Sequence, residues 1–173
     1  MSKKNKNFIK EWGIPIVSAI IMAVLINKFL IFKVYIPSES MEPTINKGDR
    51  LLIGRIYDTK SIKRGDILVF ESEELKETLI KRVIGLLGDI ITISKGAVTI
   101  NGEMIEEGYV KNNNLEYQGE FIVPSGKYLF LGDNRSNSND SRLWINPYID
   151  FDDIEGKAII RLYPFESFGS LRG

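Results

Sequence analysis

The sequence predicts a mostly β fold: one N-terminal transmembrane helix followed by an antiparallel β domain. Two observations carry this. Residues 13–34 are almost entirely apolar. From residue 48 onward, short runs rich in Ile, Val and Leu recur between Gly-Asp, Asn-Gly and Pro-Ser-Gly turns.

The first twelve residues are polar and basic, with Lys3, Lys4, Lys6 and Lys10 against Glu11. Gly13 to Phe32 is then broken only by Ser18, Asn27 and Lys28. A run of ~20 apolar residues is the length a helix needs to cross a bilayer. Lys28 stands near its far end, where a lysine reaches back to the headgroups. The basic side is expected in the cytoplasm and the remainder outside, a bias that Lys28 and Lys33 weaken without reversing. A cleaved secretory signal needs small residues at its cut site, and Phe29, Leu30, Ile31 and Phe32 are bulky. A core helix would show a polar face, and this segment is apolar all round. The expected division is therefore a cytoplasmic tail over 1–12, an uncleaved anchor over 13–34, and a β-rich domain over 35–173 on the outer face.

Within that domain, Arg50 to Tyr57 reads as a strand and Gly65-Asp66 turns into Ile67–Phe70. Glu71 to Glu77 is expected as an acidic linker or short helix. Thr78–Gly85 and Asp89–Ser94 read as strands, and Ala97–Ile100 meets Asn101-Gly102 before Glu103–Ile105, a strong hairpin signal. Lys111–Leu115 is a loop, Phe121–Val123 ends at Pro124-Ser125-Gly126, and Lys127–Leu131 is a strand. A long polar loop runs from Gly132 to Arg142, and Lys157–Tyr163 is the last clear strand, ended by Pro164.

Composition removes several chemistries. At 173 residues the chain suits one moderate domain plus an appendage. Lys plus Arg, 23, equals Asp plus Glu, 23, so bulk charge gives no case for nucleic acid. There is no cysteine, hence no disulfide, thiol nucleophile or thiolate metal site. There is no histidine, which removes the usual general base and the commonest metal ligand, and with them a Ser-His-Asp triad. A serine nucleophile here needs Lys, Asp, Glu or Tyr as its base, and a desolvated lysine is the best-attested partner.

Three stretches can carry chemistry. In the first, Ile36 to Ile45, Pro37 and Pro43 bracket Ser38 and Ser40. Each proline fixes its own φ and biases the residue before it towards extended geometry, so the segment is stiff. Such a segment suits a nucleophile, and equally an ordinary turn. In the second, Leu79 to Ile84, Lys81 and Arg82 stand among aliphatics on opposite faces of a strand. Burial would lower a lysine pKa towards what a general base requires. By periodicity alone the pair also reads as cations on a solvent face, with stems covering apolar surface. In the third, Gly132 to Arg142, a calcium loop fails because Arg135 takes the third position and the sixth holds no glycine. It reads either as a solvated, self-capping loop or as one that orients a base elsewhere. Ser138 is then placed to bond a lysine amine, and Asp140 with Arg142 to lock the loop. Gly85-Leu86-Leu87-Gly88 lacks the Lys-Ser/Thr of a phosphate-binding loop, and no zinc pattern exists. Tyr128, Phe130 and Trp144 are expected in the core or at a membrane interface.

Taken in order, these stretches resemble the boxes of type I signal peptidases. Pro37-Ser38-Glu39-Ser40-Met41-Glu42-Pro43-Thr44 resembles their serine box, and Leu79 to Gly85 with Gly88-Asp89 their lysine box. Gly132 to Arg142 resembles their glycine-aspartate-asparagine-arginine box, and Gly65-Asp66 a fourth. The likeness runs from the anchor to about Pro164 and is closest to the compact Gram-positive type. It implies a β domain of the kind shared with self-cleaving repressor peptidases and a membrane-anchored serine endopeptidase. Ser40 would be the nucleophile and Lys81 the general base. Ser38, with the backbone N–H of Ser40, would form the oxyanion hole. Ser138 would orient Lys81, and Asp133, Arg135, Asp140 and Arg142 would hold the site rigid. No metal or cofactor is implied. The implied partners are preprotein signal peptides with small residues before the cut, the lipid bilayer, and the nearby secretion translocase, with no nucleic acid. Two departures stand out: Leu87 where the family usually has proline, and Ser136 where many members have an acidic residue. A repressor-type peptidase would carry a DNA-binding helical domain where this chain has an anchor. An anchored scaffold that had lost activity would not keep every matched catalytic position.

Overall fold

The computed structural model describes residues 9–171, so Lys3, Lys4 and Lys6 of the expected tail lie outside the described residues. The chain divides into two compact units, residues 1–32 and 33–173.

In the first unit a π-helical turn, Ile9–Gly13, leads into helix α1, Ile14–Phe29. Pro15 stands in the first turn, where its missing N–H has no helical partner to lose. The two uncharged polar side chains bond back to the helix: Ser18 Oγ donates to the Pro15 carbonyl and Asn27 Nδ2 to the Ala23 carbonyl, both at 2.9 Å. Glu11–Phe29 is long and apolar enough to cross a membrane. The helix ends before the expected boundary at residue 34, and Ile31–Tyr35 is instead a strand, β1. Four of its five residues are β-branched or aromatic, which suits a pleated surface. An apolar run alone does not separate the end of a helix from the start of a strand.

The second unit is built from two antiparallel sheets. The larger uses β1, β2 (Arg50–Arg55), β3 (Ile67–Ser72), β4 (Glu77–Gly85), β9 (Lys127–Leu131), β10 (Tyr148–Asp150), β11 (Ile154–Tyr163) and β12 (Gly169–Ser170). Their spatial order is β1-β2-β11-β3-β4-β9-β10, with β12 on β11. The smaller has the order β7-β6-β5-β8, from β5 (Ile90–Ser94), β6 (Ala97–Ile100), β7 (Glu103–Met104) and β8 (Gln118–Ile122). Asn101 and Gly102 join β6 to β7 with φ of 53° and 87°, the positive pair that a tight hairpin requires. Most expected strands form. The acidic run Glu71–Glu77 is neither linker nor helix: β3 continues to Ser72, Lys76 N–H bonds the Ser72 carbonyl at 2.8 Å, and the chain returns as β4. Strands β1, β10 and β12 were not expected, and β11 begins at Ile154 rather than Lys157.

Strands β4 and β9 are the shared wall of two cores. Val83 and Phe130 face one core, where Phe70 and Phe130 stack at 4.3 Å and Trp144 meets Phe70 edge-on at 6.2 Å. Ile84, Leu129 and Leu131 face the other, beneath the small sheet with Ile91, Ile93 and Val98. The alternation of a strand thus points successive residues into different cores. Gly85 lies where the small sheet presses closest, since a Cβ there would stand 2.4 Å from Ile91 Cδ1. Tyr128, Phe130 and Trp144 are core residues. Phe130→Ala is expected to lower stability by ~3–5 kcal/mol, read from urea denaturation in detergent.

Candidate active site

The proline-bracketed stretch is a tethered loop. Ile36 N–H bonds the Asp49 carbonyl and Gly48 N–H bonds the Ile36 carbonyl, closing residues 36–49 at the base. Met41 and Ile45, one helical turn apart, are fully buried and staple its middle. Arg161 of β11 fixes it from beneath, pairing with Asp49 at 2.8 Å and donating to the Thr44 carbonyl. Ser40 sits in this loop, buried, with Ser38 Oγ 3.4 Å from its own Oγ.

Lys81 projects from β4 opposite Leu68, on the same face as Val83. Both cations of the strand are buried, Lys81 to 4% exposure and Arg82 to 2%, so neither occupies a solvent face. Strand periodicity does not show this, because the Gly132–Arg142 loop and the Glu107–Tyr109 segment supply the cover. Lys81 Nζ lies 2.5 Å from Ser40 Oγ, in hydrogen-bond contact. Burial lowers its pKa to about 8, against an opposing pull from Asp140, a reinforcing one from Arg142 and a smaller opposing one from Asp133.

The Gly132–Arg142 loop is a buried lattice of ion pairs. Asp140 takes Arg142 through both oxygens, at 2.8 and 2.9 Å, and also accepts Gly132 N–H at 2.9 Å. Asp133 takes Arg82 the same way, at 2.8 and 2.6 Å, while Arg82 Nη1 donates to the carbonyl of Gly65 in the fourth box. Such two-pronged pairs fix direction as well as distance. Asn134 joins the loop to the serine stretch: its N–H donates to the Ser40 carbonyl at 3.0 Å and its Nδ2 to the Glu39 carbonyl at 3.1 Å.

A cleft of about 370 Å³ opens beside Ser40 and Lys81, lined by Pro37, Leu75, Leu79 and Ile80 together with Asn137 and Asn139. Strand β9 pairs with β4 only from Arg82 to Gly85, so among the described residues Glu77–Ile80 has β3 on one edge and no strand on the other. The backbone N–H and C=O groups of that free edge can receive an extended chain.

The structure thus brings Ser38, Ser40 and Lys81 to one point and sets Asp133, Arg135, Asp140 and Arg142 behind them. Ser138 differs from expectation. Its hydroxyl is buried without a hydrogen-bond partner, and the expected bond to Lys81 is not formed. The Lys81 amine is directed at Ser40, while Ser138 Oγ packs against Gly132, 2.2 Å from where a Cβ there would stand. Both departures from the family pattern are compensated. Leu87 occupies a turn closed by Asp89 N–H on the Leu86 carbonyl at 3.0 Å, and the Asp89 carboxylate accepts Leu86 N–H at 2.6 Å. Ser136 brings no charge to Arg135, and Glu107 does so from a distant loop, at 2.9 and 2.5 Å. Sequence reasoning missed Asn134, Glu107 and Tyr109. Asn134 lay inside a recognised box, whereas no local signal joins Glu107 to Arg135.

Comparison with known proteins shows the family of the chain. The family described as signal peptidase, peptidase S26, matches residues 9–163. A probable signal peptidase I-2 of Synechocystis sp. is 39% identical over 168 residues, covering 93% of this chain and 76% of its own. Signal peptidase I of Leptolyngbya laminosa is 40% identical over 162 residues, covering 88% of this chain and 79% of its own. Signal peptidase IB of Staphylococcus aureus (strain COL) is 34% identical over 182 residues, covering 94% of each. The chain belongs to the signal peptidase family, peptidase S26, and is a hydrolase of the serine peptidase class.

Removing the carboxylate of Asp133 would leave the Arg82 guanidinium buried without its main partner. Asp133→Ala is expected to destabilise the protein by ~3–5 kcal/mol in urea denaturation.

Proposed function

We propose that this protein removes signal peptides from exported preproteins with a Ser40–Lys81 dyad, working from a membrane anchor. The observation that carries the proposal is the 2.5 Å contact between Lys81 Nζ and Ser40 Oγ in a place almost closed to water. With no histidine or cysteine in the chain, no commoner base or nucleophile competes for the role.

Neutral Lys81 takes the Ser40 proton as Oγ attacks the scissile carbonyl. The oxyanion receives hydrogen bonds from Ser38 Oγ and the Ser40 N–H, and each such donor is worth roughly 3 kcal/mol. The C–N bond breaks as Lys81 returns the proton to the leaving amine. Lys81 then deprotonates a water that attacks the acyl carbonyl, and returns that proton to Ser40 Oγ as the ester C–O bond breaks. Asp133, Arg135, Asp140 and Arg142 hold the loop that carries Asn134 against the nucleophile. Ser138 contributes packing beside Gly132 and an unused hydroxyl.

The cleft supports an extended substrate whose small side chains fit between Pro37, Leu79 and Ile80. The apolar segment Glu11–Phe29 supports a membrane anchor, its basic flank in the cytoplasm and the β unit on the outer face, close to where the translocase releases preproteins. Tethering raises the effective concentration of a substrate held in the same bilayer.

Ser40→Ala and Lys81→Met are each expected to abolish cleavage of a test preprotein, read by mass spectrometry of the products, while circular dichroism stays unchanged. Near wild-type cleavage by both would rule out the dyad. The working form of Lys81 is the neutral amine, and its pKa is about 8. Activity is therefore expected to rise with pH up to about 8 and to fall about tenfold per pH unit well below it. A flat profile down to mildly acidic pH would exclude a lysine base.

A further inference from the structure

The Gly132–Arg142 loop and β4 each place an arginine in the interior, and both are finished by one segment outside every box. Arg135 is 3% exposed, and its Nε donates to the Gly132 carbonyl at 2.9 Å. Its two terminal nitrogens go to the Glu107 carboxylate at 2.9 and 2.5 Å. Arg82 is held edge-on by Asp133, and its flat face lies 3.9 Å from the centre of the Tyr109 ring. Tyr109 and Glu107 are themselves joined, the phenol donating to Glu107 Oε1 at 2.7 Å. Burial and the neighbouring carboxylate push the Tyr109 pKa up, so the phenol stays a donor throughout the working range.

One arginine adjoins Lys81 in the chain and the other adjoins the residue that holds the Ser40 carbonyl. Arg82 follows Lys81 in β4. Arg135 follows Asn134, whose N–H and side chain hold the Ser40 and Glu39 carbonyls. A bidentate carboxylate and a stacked ring are contacts that fix orientation, and guanidinium is suited to both.

We propose that Glu107 and Tyr109, on the segment leading out of the small sheet, are positioning residues that hold Ser40 and Lys81 in register through Arg135 and Arg82. The proposal rests on the peptidase reading above. It gives the small sheet a part in the reaction, since that sheet ends at β7 just before Glu107 and resumes at β8. Neither residue lines the cleft, so neither touches substrate.

The test is steady-state cleavage of a preprotein by the full chain in detergent, with kcat expressed per active site titrated. Glu107→Ala and Tyr109→Leu are expected to lower kcat about tenfold to a hundredfold, as misplacement of reacting groups does. KM should stay within about twofold, because the cleft walls are untouched. The acid limb of the pH profile should move up, as water loosens the hold of Asp133, Asp140 and Arg142 around Lys81 and its amine becomes more like an exposed one. Glu107→Gln, which keeps an acceptor and loses the charge, should fall between. Tyr109→Phe, which keeps the ring over Arg82, should recover most of what Tyr109→Leu loses. A kcat per titrated site and an acid limb both unchanged in Glu107→Ala and Tyr109→Leu would overturn the proposal. So would a loss of active sites alone, with the survivors behaving as wild type, since that is a purely structural role. Should Glu107→Ala fail to fold, the Tyr109→Phe and Tyr109→Leu pair decides. A wild type that does not cleave would refute the peptidase reading instead. In that case the Lys81 titration followed by [ε-13C]lysine NMR still decides, because a midpoint unmoved in Tyr109→Leu overturns the hold on the base.

Discussion

A lysine amine held away from water loses the hydration that favours its charge, and it reaches Ser40 only if the strand beneath it cannot shift. Both conditions fall on one residue of β4. Lys81 stands at the point where that strand passes from an open edge to one paired with β9, so its stem is gripped by a core while its tip meets the cleft. Three charges surround it and pull in different directions, Asp140 and Asp133 favouring the cation and Arg142 opposing it. Burial outweighs them. A site of this kind depends on burial, because opening the amine to bulk water would favour the charged form.

The cover is itself made of charge. Asp133, Asp140, Arg82, Arg135 and Arg142 are all buried behind Ser40 and Lys81. Buried ion pairs are a poor source of stability compared with apolar packing of the same shape. What they supply is direction. Every carboxylate in this lattice binds its arginine through two atoms, and Asp140 also fixes a backbone N–H. An apolar loop of equal volume would fill the space without fixing the angle at which Asn134 meets the Ser40 carbonyl.

How much of this is legible in sequence depends on the range over which each residue acts. Ser38 and Ser40 are marked by flanking prolines, and the absence of histidine and cysteine draws attention to any lysine set among aliphatics. The hairpin at Asn101-Gly102 and most strands follow from local chemistry. Whether Lys81 is covered does not, because periodicity assigns a face and says nothing about what lies on it. The end of α1 was misjudged because Ile31, Phe32 and Val34 are as apolar as the helix before them. Glu107 and Arg135 are 28 positions apart, and nothing near either residue announces the other. The bond expected of Ser138 follows a family pattern, whereas the hydroxyl here packs against Gly132.

The half of β4 that β9 leaves uncovered has a further consequence. An unpaired strand edge invites any other edge, including that of a second folded domain, and proteins commonly guard such edges with charge or bulk. The edge lies along the cleft, whose lining includes the charged side chains of Glu77 and Lys47. A single extended polypeptide is the partner that such an edge can pair with along a cleft.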